Sequence, residues 1–194
     1  MNKRVILVTG TPCVGKTTLS RLLTAELNAQ YVNLTELAEK EHLTLGRDTE
    51  RETTIINEPK MRRKIKQIIE KNESDIVIDG HYAAAVTPKN GASHIFVLRR
   101  NPIELREFMR KCGFNQLKQD ENLAAEILDV CLIEAMQKHP KEIICEIDIT
   151  HKTVEETLKE VLETLQGKRL CSAGSVDWLG MLEREGKLDE FLKT

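Results

Sequence analysis

Apolar and polar positions along this chain follow two alternating periods. Arg4 to Thr9 (Arg-Val-Ile-Leu-Val-Thr) is a short run of mainly β-branched residues closed by Gly and Pro, the pattern of a buried strand that ends in a loop. From about Gly15 to Asn28 the period changes, and Leu19, Leu22, Leu23 and Leu27 fall on one helical face suited to packing on a sheet. Further apolar runs at Asp75 to Asp79, His94 to Leu98 and Glu142 to Ile147 read as strands separated by helices. Helices are predicted at Pro59 to Lys71, at Pro102 to Lys111 with Pro102 in the first turn, and at Asn122 to Lys138 with Leu123, Ile127, Cys131 and Ala135 along one stripe. Another begins at Thr153, where Thr153 and Glu156 form a capping box ahead of an apolar face (Val154, Leu158, Val161, Leu162, Leu165), and Gly167 stops it. Strand-helix alternation of this kind predicts an α/β fold, a parallel sheet with helices on both faces and ligands in the crevice beyond the strand C-termini. Function is therefore expected at Gly10 to Thr18, Asp79 to His81, from Arg99 onward, and at Asp148 to Lys152.

Composition narrows the class. At 194 residues the chain fits one compact domain with at most a small insertion or tail, and 40% apolar with 31% charged residues reads as a water-soluble globular protein with a well-charged surface, against disordered, collagenous and low-complexity classes. No stretch approaches the ~18 apolar residues of a membrane span, and Met1 to Arg4 run straight into strand-like sequence, so a cytoplasmic protein, cytosolic or nuclear, is expected. Lys plus Arg number 29 against 31 for Asp plus Glu, a net charge of −2, so no strong autonomous nucleic-acid binding is expected and any RNA contact must be local. The five cysteines (Cys13, Cys112, Cys131, Cys145, Cys171) lack C-x-x-C spacing and read as reduced, mostly buried thiols.

Gly10-Thr-Pro-Cys-Val-Gly15-Lys16-Thr17 matches G-x-x-x-x-G-K-[ST] between a predicted strand and a predicted helix, the context that this phosphate-binding motif requires. Backbone N–H groups, including those of Cys13 and Gly15, and the helix N-terminus point at phosphate oxygens, while Lys16 supplies positive charge to the β and γ phosphates. Thr17 is expected to place its hydroxyl on Mg²⁺ and Thr18 to bond the α phosphate. Asp79, ending an apolar strand, is either the carboxylate that orients Mg²⁺ directly or through water, or a strand-end turn residue. His81, two residues on, either positions a nucleophilic water near the same phosphates or is a loop residue at the surface. No Asn-Lys-x-Asp guanine motif occurs, which disfavours a GTPase switch.

These residues, together with Val32-Asn-Leu-Thr-Glu-Leu-Ala38, Val97-Leu-Arg-Arg100, Gly113-Phe-Asn115, Glu121-Asn122, Ala125-Glu-Ile-Leu-Asp129 and Val176-Asp-Trp178, make the chain resemble the archaeal family described as adenylate kinases, relatives of the eukaryotic coilin-interacting nuclear ATPase, adenylate kinase isoenzyme 6. The resemblance extends over nearly the whole chain. It implies a P-loop NTPase with an adenylate-kinase-like five-stranded parallel sheet over residues 1–166, an NMP-binding insertion at about 31–54, a short lid at about 106–118 and a C-terminal helical tail at 167–194. It implies, as function, an enzyme: a Mg²⁺-dependent, broad-specificity nucleoside monophosphate kinase (ATP + AMP = 2 ADP) with ATPase activity, assisting late maturation of the small ribosomal subunit by transiently binding a platform ribosomal protein. The alternatives are an ATP-driven assembly factor whose kinase reaction is incidental, and a small-metabolite kinase. In the family the loop after the last strand holds the adenine. Here that loop is Thr150-His-Lys152, in which Lys152 either covers the base with its aliphatic stem or is an ordinary solvated lysine.

The chain departs from the family in two places. The phosphate loop carries Cys13 where the family usually has glycine, and the lid positions that usually hold arginine are occupied by Phe108 and Cys112. Arg106 and Arg110 keep the i, i+4 spacing two residues earlier, a displacement that turns a side chain by roughly 200° on a regular helix. They are either the catalytic lid arginines in a shifted register or a solvated helix face. In the tail, Trp178, Leu179, Leu182, Leu188, Phe191 and Leu192 cluster apolar groups at near-helical spacing, either packed on the domain or offered to a partner.

Overall fold

A computed structural model describes residues 3–49 and 53–192. The strand runs seen in the sequence form β1 (Val5–Thr9), β5 (Ile76–Asp79), β6 (His94–Arg99) and β7 (Ile144–Asp148), and a fifth strand, β2 (Gln30–Asn33), joins them in one parallel sheet of order β2-β5-β1-β6-β7. Between them lie α1 (Lys16–Leu27), α2 (Leu34–Lys40), α3 (Glu58–Lys71), α4 (Ala83–Val86), α5 (Pro102–Lys111), α6 (Gln116–Ile127) and α7 (Val130–Lys138), and α8 (Val154–Leu165) follows β7. A two-stranded antiparallel ribbon, β3 (Thr44–Asp48) with β4 (Thr53–Ile56), stands apart from the main sheet.

The pleat explains why the strands read as continuous apolar runs. In β1, Ile6 and Val8 face one layer with Leu19, Leu23, Phe96, Leu98 and Val161, whereas Val5 and Leu7 face the other with Met61, Ile65, Ile76 and Ile95. Both faces are buried, so no polar alternation survives. Register then places the functional ends: Asn33 pairs level with Asp79, Val8 with Asp79, and Arg99 with Asp148, which brings the four loops after β1, β5, β6 and β7 to one edge.

Local signals act as the sequence indicates at several helix starts. Pro102 opens α5 behind an Asn101 cap, and Thr153 and Glu156 form both bonds of the capping box of α8. The single helix expected over Asn122 to Lys138 is instead two: α6 ends at Ile127, and Asp129 takes a left-handed conformation (φ 58°) before α7. At this bend Asp129 pairs with the Arg99 guanidinium at 2.5 Å.

The expectation of reduced cysteines also needs correction. Cys145 and Cys171 are joined as a disulfide across 26 residues, leaving Cys13, Cys112 and Cys131 free. The pairing follows from the path of the tail, which returns along the outer edge of β7, where the Glu146 N–H donates to the Ser172 carbonyl at 2.8 Å. The chain then forms α9 (Trp178–Arg184) and α10 (Leu188–Phe191), whose Trp178, Leu182 and Phe191 are buried in the same core layer as α1, α5 and α6. No helix among the described residues is long and apolar enough to cross a membrane.

Candidate active site

The turn between β1 and α1 wraps around a point just beyond the sheet. Gly10 has φ 136°, and a Cβ there would sit 2.5 Å from the Leu98 carbonyl oxygen, so only glycine lets the loop pass β6. Gly15 (φ 109°) is the residue from which α1 starts, leaving the first N–H groups of the helix free to face an anion. Cys13 is held at φ 68°, the left-handed region that glycine occupies at lowest cost, which gives a physical reason for the usual glycine there. Burial and a hydrogen bond to Cys112 push the Cys13 thiol up to about 12, so it is protonated near neutral pH.

Lys16 is buried, and its Nζ donates to the Thr11 carbonyl at 2.8 Å within the same loop. Burial holds the ammonium below its ordinary value, with partial compensation from Cys131, Asp79, Cys13 and Glu126. Thr17 donates its hydroxyl to Asp79 Oδ2 at 2.7 Å, and that oxygen also accepts from Tyr31 (2.9 Å) and Asn33 (3.0 Å). The Thr17 hydroxyl and the Asp79 carboxylate form a pair of hard oxygen donors at the C-terminal end of β5, a set that fits Mg²⁺. Among the described residues there is no group of three or more His, Cys, Asp or Glu side chains placed to hold a metal ion.

Two cavities open on either side of this loop. One, of about 200 Å³, is lined by Gly15, Thr18, Arg100, Phe108, Ile149 and Lys152. The Arg100 guanidinium lies 4.6 Å from the centre of the Phe108 ring and pairs with Glu104, while Lys152 pairs with Glu160 at 2.6 Å, so cationic groups with aliphatic stems flank an apolar wall. The other, of about 400 Å³, is lined by Pro12, Thr35, Thr54, His81, Phe114 and Lys118, among others. His81 stands at this mouth, its ring edge-on to Tyr82 and its carbonyl accepting from Thr9 at 2.9 Å.

His81 is exposed at this mouth, yet the protein packed around its ring, followed by the charge of Lys16, lowers the imidazole to about 4, so the ring is neutral at pH 7. Because the folded value lies below the unfolded one near 6.5, the unfolded state takes up a proton first as pH falls. His81 therefore costs no stability above about pH 7, and because solvent screens the exposed ring it subtracts only a small amount between about 6.5 and 4. An NMR titration of the His81 ring, identified by its loss in His81→Ala, is expected to show a midpoint below 5; a midpoint between 6 and 7 would contradict the crowded environment.

The structure thus gathers Cys13, Gly15, Lys16, Thr17, Thr18, Asp79, His81 and Lys152 around one loop, and it does not bring Arg106 or Arg110 there. Arg106 bonds Glu190 at 2.5 Å and lies 4.1 Å over the Phe191 ring, on the tail side of α5, while Arg110 pairs with exposed Glu107. The reason is helical register: Phe108 and Cys112, at the positions where the family usually has arginine, lie toward the loop, where Phe108 meets Arg100 and Cys112 meets Cys13. The sequence assigns no site role to Arg100, beside the smaller cavity, or to Tyr31 and Asn33 on Asp79, and it marks Phe108, which lies against Arg100, only as a lid position without its arginine. None of these contacts carries a local signal, since Tyr31 and Asn33 lie in a strand that is short and half polar.

Residues 6–129 match the family described as AAA domain. A protein of Methanocaldococcus jannaschii named "Putative adenylate kinase" is 38% identical over 89% of this chain and 92% of its own length, and another of that name from Pyrococcus furiosus is 33% identical over 92% and 93%. The chain belongs to this family. Solved structures share the fold at low identity: shikimate kinase from Acinetobacter baumannii in complex with shikimate (TM-score 0.60, 14% identity, 87% of this chain and 96% of that one) and thymidylate kinase from Candida albicans (TM-score 0.55, 15% identity, 89% and 96%). The architecture is that of a P-loop kinase, with the adenylate-kinase-like five-stranded parallel sheet that the resemblance implies.

Proposed function

We propose that the protein is a Mg²⁺-dependent nucleoside monophosphate kinase that transfers phosphate from ATP to AMP or another monophosphate. The observation that carries this reading is the pair of cavities, about 200 and 400 Å³, that meet at a single phosphate loop. The smaller suits the adenosine of ATP, with its base between the Arg100–Phe108 pair and the stem of Lys152. The larger offers hydroxyls from Thr35 and Thr54 and the Lys118 ammonium, suited to the sugar and phosphate of a monophosphate. The family name of the relatives supports the same assignment.

The chemistry asks mainly for positioning and charge. Lys16 leaves the Thr11 carbonyl to pair the β and γ phosphates, and the loop N–H groups hold the oxygens in line. Mg²⁺, when bound, neutralises charge on the β and γ oxygens, and Thr17 and Asp79 are the residues that would hold it. Neutral His81, at the mouth of the acceptor cavity, orients the attacking oxygen as a hydrogen-bond partner. With no acceptor bound, water in the same cavity makes the reaction an ATPase, the step on which a role in small-subunit maturation with a ribosomal platform protein would draw.

A bisubstrate of two adenosines joined through five phosphates tests the two-cavity reading. It is expected to bind at least about a hundredfold more tightly than ATP, because filling one cavity makes occupation of the second intramolecular. Affinity no better than that of ATP would contradict it.

A further inference from the structure

Arg99 at the end of β6, Glu146 in the middle of β7 and the helix residue Glu126 form a buried charge cluster between the sheet and the tail. Arg99 bonds Glu126 at 2.9 Å and Glu146 at 2.6 Å, and all three side chains are almost fully buried. One guanidinium cannot neutralise two buried carboxylates, so each needs further donors. Glu146 obtains them from the tail: the backbone N–H groups of Gly174, Ser175 and Val176 all donate to its Oε2 at 2.8–3.3 Å. Glu126 takes one from each side of the molecule. Its Oε1 accepts from Trp178 Nε1 at 3.0 Å, and its Oε2 accepts from the Thr11 hydroxyl at 2.6 Å. Thr11 is the loop residue whose carbonyl holds the Lys16 ammonium.

We infer that Glu126 is a positioning residue through which Trp178 of the tail fixes the phosphate loop around Lys16. The inference rests on the phosphoryl-transfer reading for its kinetic consequence and on these bonds alone for its structural one. With the Trp178 N–H absent, the Glu126 carboxylate loses its tail-side donor and shifts toward Arg99 and the Arg100 N–H, which already donate to the same oxygen at 2.9 and 3.1 Å. Thr11 then loses its anchor and the loop loosens. Linkage makes the effect reciprocal: freeing Thr11 loosens the tail.

The test uses the full chain with Trp178→Phe, which removes the N–H and keeps an aromatic ring, Thr11→Val, which removes the hydroxyl at nearly constant shape, and the double variant. Hydrogen exchange of amides 11 and 13–17 is expected to rise in Trp178→Phe, and exchange of amides 172–178 to rise in Thr11→Val, so that either variant suffices if the other fails to fold. In turnover of ATP with AMP, each single variant is expected to lose about tenfold in kcat and the double no more than about that, since both break one relay. Thr11→Ser, which restores the hydroxyl, is expected to recover most of the loss, a rescue that a merely structural role of the side chain's bulk does not predict. Unchanged exchange at the distant segment in both single variants, or losses that multiply to about a hundredfold in the double, would overturn the inference. If the variants change exchange as expected but the wild-type protein transfers no phosphate, it is the functional reading that fails and the structural relay that stands.

Discussion

Lys16→Ala is expected to abolish phosphoryl transfer, lowering kcat by about three orders of magnitude or more, without lowering the melting temperature. The first part follows from its place: Nζ sits inside the loop, on the Thr11 carbonyl, and is the loop's own full positive charge for the β and γ phosphates. The second follows from burial. The ammonium is enclosed and held below its ordinary protonation range, so its presence opposes folding, and alanine removes that cost. Loss of activity with unchanged or raised thermal stability is the signature of a group kept for chemistry instead of architecture. Steady-state rates and a thermal melt on the same preparation measure both, and a folded variant retaining more than a few per cent of wild-type turnover would contradict the role.

Removing residues 168–194 has the largest expected effect on stability. Trp178, Leu182 and Phe191 lie in the core layer shared with α1, α5 and α6, and burying a large apolar side chain contributes roughly 1.5–3 kcal/mol, so their loss together is on the order of 5–8 kcal/mol. That is most of the stability of an ordinary domain. Truncation further strips Glu146 and Glu126 of their tail donors beside Arg99. The truncated chain is expected to aggregate or to melt far below the intact one. A truncated protein that melts within a few degrees of the full chain would instead return the tail to the role of a detachable docking surface, the reading that its burial disfavours.

Sequence and structure agree best where one short segment carries its own geometry. The phosphate loop, its strand and α1 are legible because strand pattern, glycine spacing and helical leucines follow one another within 25 residues. Asp79 was visible as a carboxylate closing an apolar strand, and Thr17 as the hydroxyl of the motif, and they meet at 2.7 Å. β2 was hidden because Gln-Tyr-Val-Asn is short and half polar, and the β3–β4 ribbon because its residues are mostly exposed. The break at Asp129 escaped notice because Leu123, Ile127, Cys131 and Ala135 keep a stripe that one left-handed residue does not interrupt in sequence. Contacts set by the path of the tail left no local trace: the Cys145–Cys171 pair, the Arg106–Glu190 bond and the Trp178–Glu126 bond all join residues brought together only by tertiary packing.

The destination of the γ phosphate of ATP separates transfer from hydrolysis. Incubation with Mg²⁺ and ATP labelled in the γ phosphate, with and without AMP, followed by separation of the nucleotides, reads this directly. Transfer between the two cavities predicts label in the β phosphate of newly formed ADP, dependent on AMP and far faster than release of labelled inorganic phosphate. Label appearing only as inorganic phosphate, at the same rate with or without any nucleoside monophosphate, would contradict it.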